Sequence, residues 1–119
     1  MKVKSYRELH AWQNSMRLAD VVYRVTRRFP KEEMYTLTAQ IRRSAISVPS
    51  NIAEGQGRGS TGEFRQFLCI ARGSLYELET QFLLARKLGY LSTTEAAELE
   101  MVIEGVGPVL NGLIRSLGK

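Results

Sequence analysis

The sequence predicts an all-α fold, an antiparallel up-down-up-down four-helix bundle that occupies residues 1–119 as one domain. Three observations lead there. Apolar residues recur at spacings of three and four along four long stretches, the period of a helix with one buried face. Between the stretches stand helix stops and starts: Phe29-Pro30, the glycines from Gly55 to Gly59, and Leu88 to Ser92. No stretch alternates apolar and polar residues as a strand does. The predicted helices span about 6–28, 32–55, 61–88 and 93–117, and 119 residues with 44% hydrophobic content are enough for one core.

The first helix takes its stripe from Leu9, Trp12, Met16, Ala19 and Tyr23, with Val22 and Val25 less regularly placed. Trp12 reads as a core or interface anchor because it lies within that stripe. The helix stops at Phe29, since a residue before proline is pushed out of helical geometry.

The second helix begins near Lys31 to Met34 and points Met34, Leu37, Ile41, Ala45, Val48 and Ile52 inward. A second apolar line, Ala39, Ile46 and Ala53, repeats every seven residues on another side. Between the two lies a polar strip that includes Arg43, Ser47, Asn51 and Glu54. Two apolar lines on one helix imply a partner on each, so Ala39, Ile46 and Ala53 are candidates for contact with another subunit. Pro49 falls inside the pattern without shifting its phase, which predicts a kink and not a terminus.

Gly55, Gly57 and Gly59 suit a left-handed cap and turn. Their spacing is no dinucleotide loop, because a helix and not a strand precedes them. Ser60 with Glu63 opens the third helix as a capping box. Its stripe is Phe64, Phe67, Leu68, Ala71, Leu75, Leu78, Phe82 and Ala85. Arg65, Arg72, Glu79 and Arg86 follow one another by sevens and form a flanking column. Reflection of the second helix onto the third about Arg58 places Glu54 near Arg65 and Arg43 near Glu77. The fourth helix opens with the Ser92/Glu95 box and carries Leu99, Ile103, Val106, Leu110, Leu113 and Leu117, with a second bend expected at Gly107-Pro108.

Charge separates the helices. The net +5 comes from the first 31 residues, which hold eight Lys/Arg against two acids, while residues 91–119 hold two against four. A cationic face attracts phosphate backbones by a salt-sensitive, sequence-independent pull. The candidate phosphate contacts are Arg17, Arg24, Arg27, Arg28 and Arg58, supplemented by Lys2, Lys4 and Arg7. No aromatic interleaves this face in the sequence reading, so base-specific recognition is not expected.

The single Cys69 excludes an internal disulfide, and with the single His10 it leaves no nitrogen and sulfur set for a metal. No cofactor is expected. The absence of a membrane-length apolar run and of a signal-peptide pattern implies a soluble, cytoplasmic protein. Arg43, Asn51, Glu54, Arg65, Arg72 and Glu79 are the best constellation for catalysis, yet they supply no activated nucleophile and no acid and base pair. With Glu77 they read as a polar layer that fixes helix register or subunit contact, and the chain reads as a non-enzyme.

The stretches QIRRSAISVPSNIAEGQGRG, EFRQFLCIARGSLYELE and LNGLIRSL resemble the family of bacterial four-helix-bundle proteins encoded in intervening sequences of 23S ribosomal RNA genes. The resemblance runs from the Trp12 helix to Leu117. It implies a cyclic homopentamer. More distantly the chain is similar to accessory variability proteins of diversity-generating retroelements, which implies a basic pentamer that binds nucleic acid and a reverse transcriptase. Two functions follow as expectations: an oligomeric nucleic-acid binder, or an oligomeric scaffold that docks a reverse transcriptase or a ribosomal partner.

Overall fold

The computed structural model describes residues 5–118 and is all-helical, with no strand among them. Its helices are α1 (His10–Thr26), α2 (Leu37–Gly57), α3 (Thr61–Lys87) and α4 (Thr93–Leu117). At 1.5 Å per residue α3 is roughly 40 Å long, and it sets the 43 Å long axis of the molecule. Among the described residues the backbone of α1 lies against those of α2 and α4, and that of α3 against the same two. The buried side chains form one cluster along the axis of this four-helix bundle.

Helix α1 is shorter than 6–28. Tyr6–Glu8 form a separate 3₁₀ turn, capped by Ser5 Oγ, which accepts from the Arg7 N–H, and extended backbone at Leu9 divides it from the helix. The buried face also differs from the predicted stripe. Ala11, Ser15, Leu18, Val21, Val22, Val25 and Thr26 face the core, whereas Met16 is 45% exposed and Tyr23 37%. Ser15 and Thr26 tolerate burial because their hydroxyls donate to carbonyls of their own helix, Ala11 and Val22, each at 2.7 Å. Trp12 lies at the edge, edge-on to Tyr6 with ring centroids 5.3 Å apart.

The α1–α2 connection holds a second 3₁₀ turn, Lys31–Glu33, so α2 begins at Leu37 and not near Lys31. The break falls at Thr36, whose φ of −119° and ψ of −101° are not helical. Met34, assigned to the core stripe, is half exposed in consequence. Leu37, Ile41, Ala45, Val48 and Ile52 are buried as their spacing predicts. The connection is pinned from across the molecule: Phe29 packs on the Tyr90 ring at 5.5 Å, and the Tyr90 hydroxyl donates to Glu33 at 2.9 Å.

The α2–α3 turn uses its glycines differently from the expectation. Only Gly59 takes the left-handed conformation, at φ 86°, while Gly55 and Gly57 remain helical. Gly55 is buried, and a Cβ there would lie 2.6 Å from the Cβ of Phe67. It is glycine because α3 lies against it. Ser60 Oγ then accepts from the Glu63 N–H at 3.2 Å and starts α3. Phe64, Leu68, Ala71, Leu75, Leu78, Phe82 and Ala85 are buried along α3, and Phe67 is half-buried. The Ser92/Glu95 box is complete at the start of α4. Helix α4 passes through Gly107-Pro108 without a break, and its last core residue is Ile114, which leaves Leu113 and Leu117 half-buried.

Candidate nucleic-acid interface

The arginines of α1 divide into paired and unpaired. Arg24 is bidentate on Glu98, with Nη1 donating to Oε1 at 3.0 Å, and Arg28 is paired with Glu95. Both acids belong to α4, so the excess charge of α1 is partly spent in holding the α1–α4 contact. The bond from Arg24 holds the Glu98 carboxyl below the usual range, and Glu98 in turn raises the guanidinium of Arg24. Glu95 is lowered first by the Ser92 N–H and then by Arg28. Arg58 pairs with Glu54 one turn earlier in α2, at 2.7 Å, and lies over the Phe67 ring at 4.8 Å. Arg17 donates to Asn14 at 3.1 Å. Arg27 and Arg7 are exposed without an acid partner among the described residues, outside which Lys2 and Lys4 lie.

The reflected pairs do not form. Glu54 is taken by Arg58, which is on the same helix and needs no tertiary precision to reach it. Arg43 and Glu77 are both exposed and form no ion pair among the described residues. The polar groups instead bond in two separate places. Between α2 and α3, Ser47 Oγ and Ser74 Oγ are 2.7 Å apart, and Asn51 Nδ2 donates to Ser47 Oγ at 2.9 Å. Between α3 and α4, Arg72 donates to Asn111 Oδ1 at 3.0 Å, and Arg86 approaches Glu100 at 3.9 Å. Arg65 and Glu79 are exposed. These groups do not converge on one pocket, and the column Arg65, Arg72, Glu79 and Arg86 faces α4 where it makes contacts at all. No cluster of three or more His, Cys, Asp or Glu among the described residues is arranged to hold a metal.

Surface grooves flank α2, three of them lined by described residues. One, of about 340 Å³, is apolar and lies between α1 and α2, lined by Tyr6, Trp12, Met16, Ala19, Ile46, Pro49, Ser50 and Ala53. The second, of about 490 Å³, includes Tyr23, Met34, Ala39, Arg42, Arg43 and Ile46. The third, of about 280 Å³, adjoins it through Met34, Thr38 and Arg42 and adds Arg27 and Lys31. Arg42 is held between these last two: its Nε donates to Thr26 Oγ1 at 2.8 Å, and its guanidinium stacks 4.7 Å over the Tyr23 ring.

The family model for 23S rRNA-intervening sequence proteins matches residues 7–112. The chain belongs to that family. In three dimensions this 23S rRNA-intervening sequence protein is similar to a solved structure from Bacteroides thetaiotaomicron, described as a protein with unknown function from the S23 ribosomal protein family. The two share 21% sequence identity and a TM-score of 0.79, over 88% of this chain and 95% of the other. No curated protein matches the chain. The likeness bears on the fold. No helix among the described residues of this 23S rRNA-intervening sequence protein is long and apolar enough to cross a membrane.

Arg42 is the cation that the sequence reading of this family member passes over. It lies beside Arg43 in a helical pattern whose polar strip drew attention to Arg43, and its neutral partners on α1 are tertiary contacts. Tyr23 is the second omission. Its place at the core spacing concealed that it is an aromatic exposed next to arginine, the combination that the basic face lacked on paper.

Proposed function

We propose that the protein is a non-catalytic, oligomeric nucleic-acid binder that holds the phosphate backbone of RNA or DNA with little base specificity. The observation that carries this reading is where the charge remains. Each of the four ion pairs among the described residues removes one cation and one acid, so the formal net charge of +5 is left uncancelled by them. Arg7, Arg17, Arg27, Lys31 and Arg43 are exposed and pair with no acid among the described residues. Arg58, at the turn, is exposed enough to exchange Glu54 for a phosphate. Lys2 and Lys4 extend the basic set.

In this reading the bundle is antiparallel and up-down-up-down, bent at Pro49 and at Pro108, and assembles as a closed cyclic homo-oligomer, a pentamer by family resemblance. The short α2–α3 connection and the stepping of contacts support the antiparallel course: Gly55 meets Phe67 while Ser47, farther from the turn, meets Ser74. The half-exposed Met16 and Ile46 beside the apolar groove support a subunit seam. Repetition around a ring turns a weak phosphate contact into useful avidity. Asn51 and Arg72, bonded to Ser47 and Asn111, set helix register, Glu54 holds Arg58, and the exposed Arg65, Glu77 and Glu79 are left for subunit contact, with no catalytic role.

Titration of salt against binding to a structured RNA and to duplex DNA tests the function. Retention at about 50 mM salt, with log K falling linearly in log salt, is expected. No retention at that salt overturns it. A second reading, an oligomeric cytoplasmic scaffold that docks a reverse transcriptase or a ribosomal partner by an acidic surface, draws on the same exposed basic face. Purification with and without nuclease separates the two, because a protein partner that survives nuclease favours the scaffold.

A further inference from the structure

The unpaired cations are not spread evenly. Arg27 and Lys31, at the end of α1 and the turn after it, line the same groove as Arg42 of α2. Arg43, one residue on, lines the adjoining groove with Arg42. None of the four pairs with an acid among the described residues, and no acid lines either groove. The contrast with the other side of α1 is direct, since Arg24 and Arg28 are cancelled there by Glu98 and Glu95. Three arginines and a lysine gathered here, against Glu32 and Glu33 of the turn that holds Lys31, leave an excess of positive charge that attracts an anion. Arg42 is also pre-positioned: its bonds to Thr26 and its stack on Tyr23 fix the guanidinium, so little side-chain freedom remains to be lost on binding.

Beside Arg42 and Arg43 the groove is walled by the apolar and aromatic Tyr23, Met34, Ala39 and Ile46, with the hydroxyl residues Thr38 and Ser47 between them. Cations beside an aromatic and apolar recess suit a phosphodiester with an unpaired base attached. A duplex, whose bases are stacked inward, offers only the phosphate. We propose that this α1–α2 corner is the contact site for single-stranded nucleic acid, with Arg27, Lys31, Arg42 and Arg43 on successive phosphates and one unpaired base against Tyr23 and Met34. This rests on the nucleic-acid reading above and assigns it a place and a strand form. The base contact is by face and not by edge, so it is sequence-tolerant.

The test uses the full-length chain and fluorescently labelled decamers: oligouridylate, oligothymidylate, an abasic strand of equal length, and a duplex. Single strands are expected to bind at least about 10-fold tighter than the abasic strand, from stacking of one base, and tighter than the duplex. Arg27→Ala/Lys31→Ala removes two phosphate contacts from groups that bond nothing else in the fold. It is expected to reduce the salt slope by about 1.4 and affinity at 0.1 M salt about 25-fold. Arg43→Ala is expected to remove about half as much of the slope. Lys87→Ala, an exposed cation on α3, controls for the loss of net charge alone and is expected to change the slope little. Equal losses of slope for Lys87→Ala and Arg43→Ala, each of which removes one charge, would overturn the corner and leave a diffuse nucleic-acid binder standing. Equal affinity for abasic or duplex probes overturns the base pocket. No binding of any strand at about 50 mM salt overturns the nucleic-acid reading itself, and the corner with it.

Discussion

Gly55 and Phe67 approach one another so closely across the α2–α3 contact that a Cβ on Gly55 would stand 2.6 Å from the Cβ of Phe67. That atom is the root of a side chain and cannot swing aside, so α3 itself must shift. Gly55→Ala therefore costs about 1–3 kcal/mol of overpacking, against a gain of about 1 kcal/mol in helix propensity. A net loss is expected in urea unfolding. Gly73 is the internal control: it is exposed in the middle of α3, and a Cβ there meets nothing within 4 Å. Gly73→Ala is expected to stabilise by up to about 1 kcal/mol. Opposite signs for the two substitutions would confirm that only Gly55 is required by packing.

The buried face of the third helix was legible in the sequence and that of the first only in part, and Ser15 and Thr26 show why. Every inward position of α3 except Ser74 is a recognisable apolar residue, so spacing and burial coincide. In α1 the inward face includes Ser15 and Thr26, polar by composition but self-satisfied through bonds to Ala11 and Val22. The larger Trp12, Met16 and Tyr23 stand at equally good helical spacing beside it and attracted the assignment. The charged pairs failed for a different reason. Reflection about a turn predicts which residues are level with one another, but it does not rank competitors, and Arg58 reaches Glu54 within its own helix. Arg24 and Arg28 were read as free because nothing in sequence places α4 acids 74 and 67 residues away beside them.

Three carboxyls, Glu33, Glu95 and Glu98, are held below the ordinary range in the folded protein, by Thr36 and Tyr90, by Ser92 and Arg28, and by Arg24 respectively. A depressed carboxyl contributes stability that is fully present above its unfolded pKa and is lost as pH falls through the folded value. Stability is thus expected to be flat from neutral pH to about 5 and to fall below the ordinary carboxylate range near 4.5. Urea midpoints between pH 7 and pH 3 measure it. Arg24→Ala/Arg28→Ala should shallow this acid limb; an unchanged limb would place its origin elsewhere.

The start of α4 depends on Ser92, whose Oγ accepts from the Glu95 N–H at 3.0 Å while Glu95 Oε1 accepts from the Ser92 N–H at 2.9 Å. Ser92→Ala removes one half of this box and should cost about 1 kcal/mol. The Ser92 hydroxyl and Arg28 bear on the same residue, Glu95, one through its backbone N–H and the other through its carboxylate. The Ser92→Ala/Arg28→Ala double variant is expected to lose less than the sum of the two single losses. Additive losses in a double-mutant cycle would mean that Glu95 keeps its position without the cap.

The proposed subunit seam makes the most demanding prediction, because Met16 and Ile46 are each 45% exposed and neither carries weight in the core. An isolated bundle has little reason to place two large apolar side chains beside an apolar groove of about 340 Å³. Met16→Glu/Ile46→Glu puts two charges per protomer there, which would be desolvated on assembly without a partner. Sedimentation should then report the mass of one 13.5 kDa chain, with helical circular dichroism unchanged because the bundle core is untouched. Nucleic-acid affinity is read on Met16→Glu alone, because Ile46 also walls the groove of Arg42 and Arg43, and it should fall as avidity is lost. If the double variant keeps the mass of the unsubstituted protein, the seam is not at Met16 and Ile46. If a monomeric Met16→Glu variant binds as tightly as before, one α1–α2 corner is sufficient and the ring adds nothing to binding.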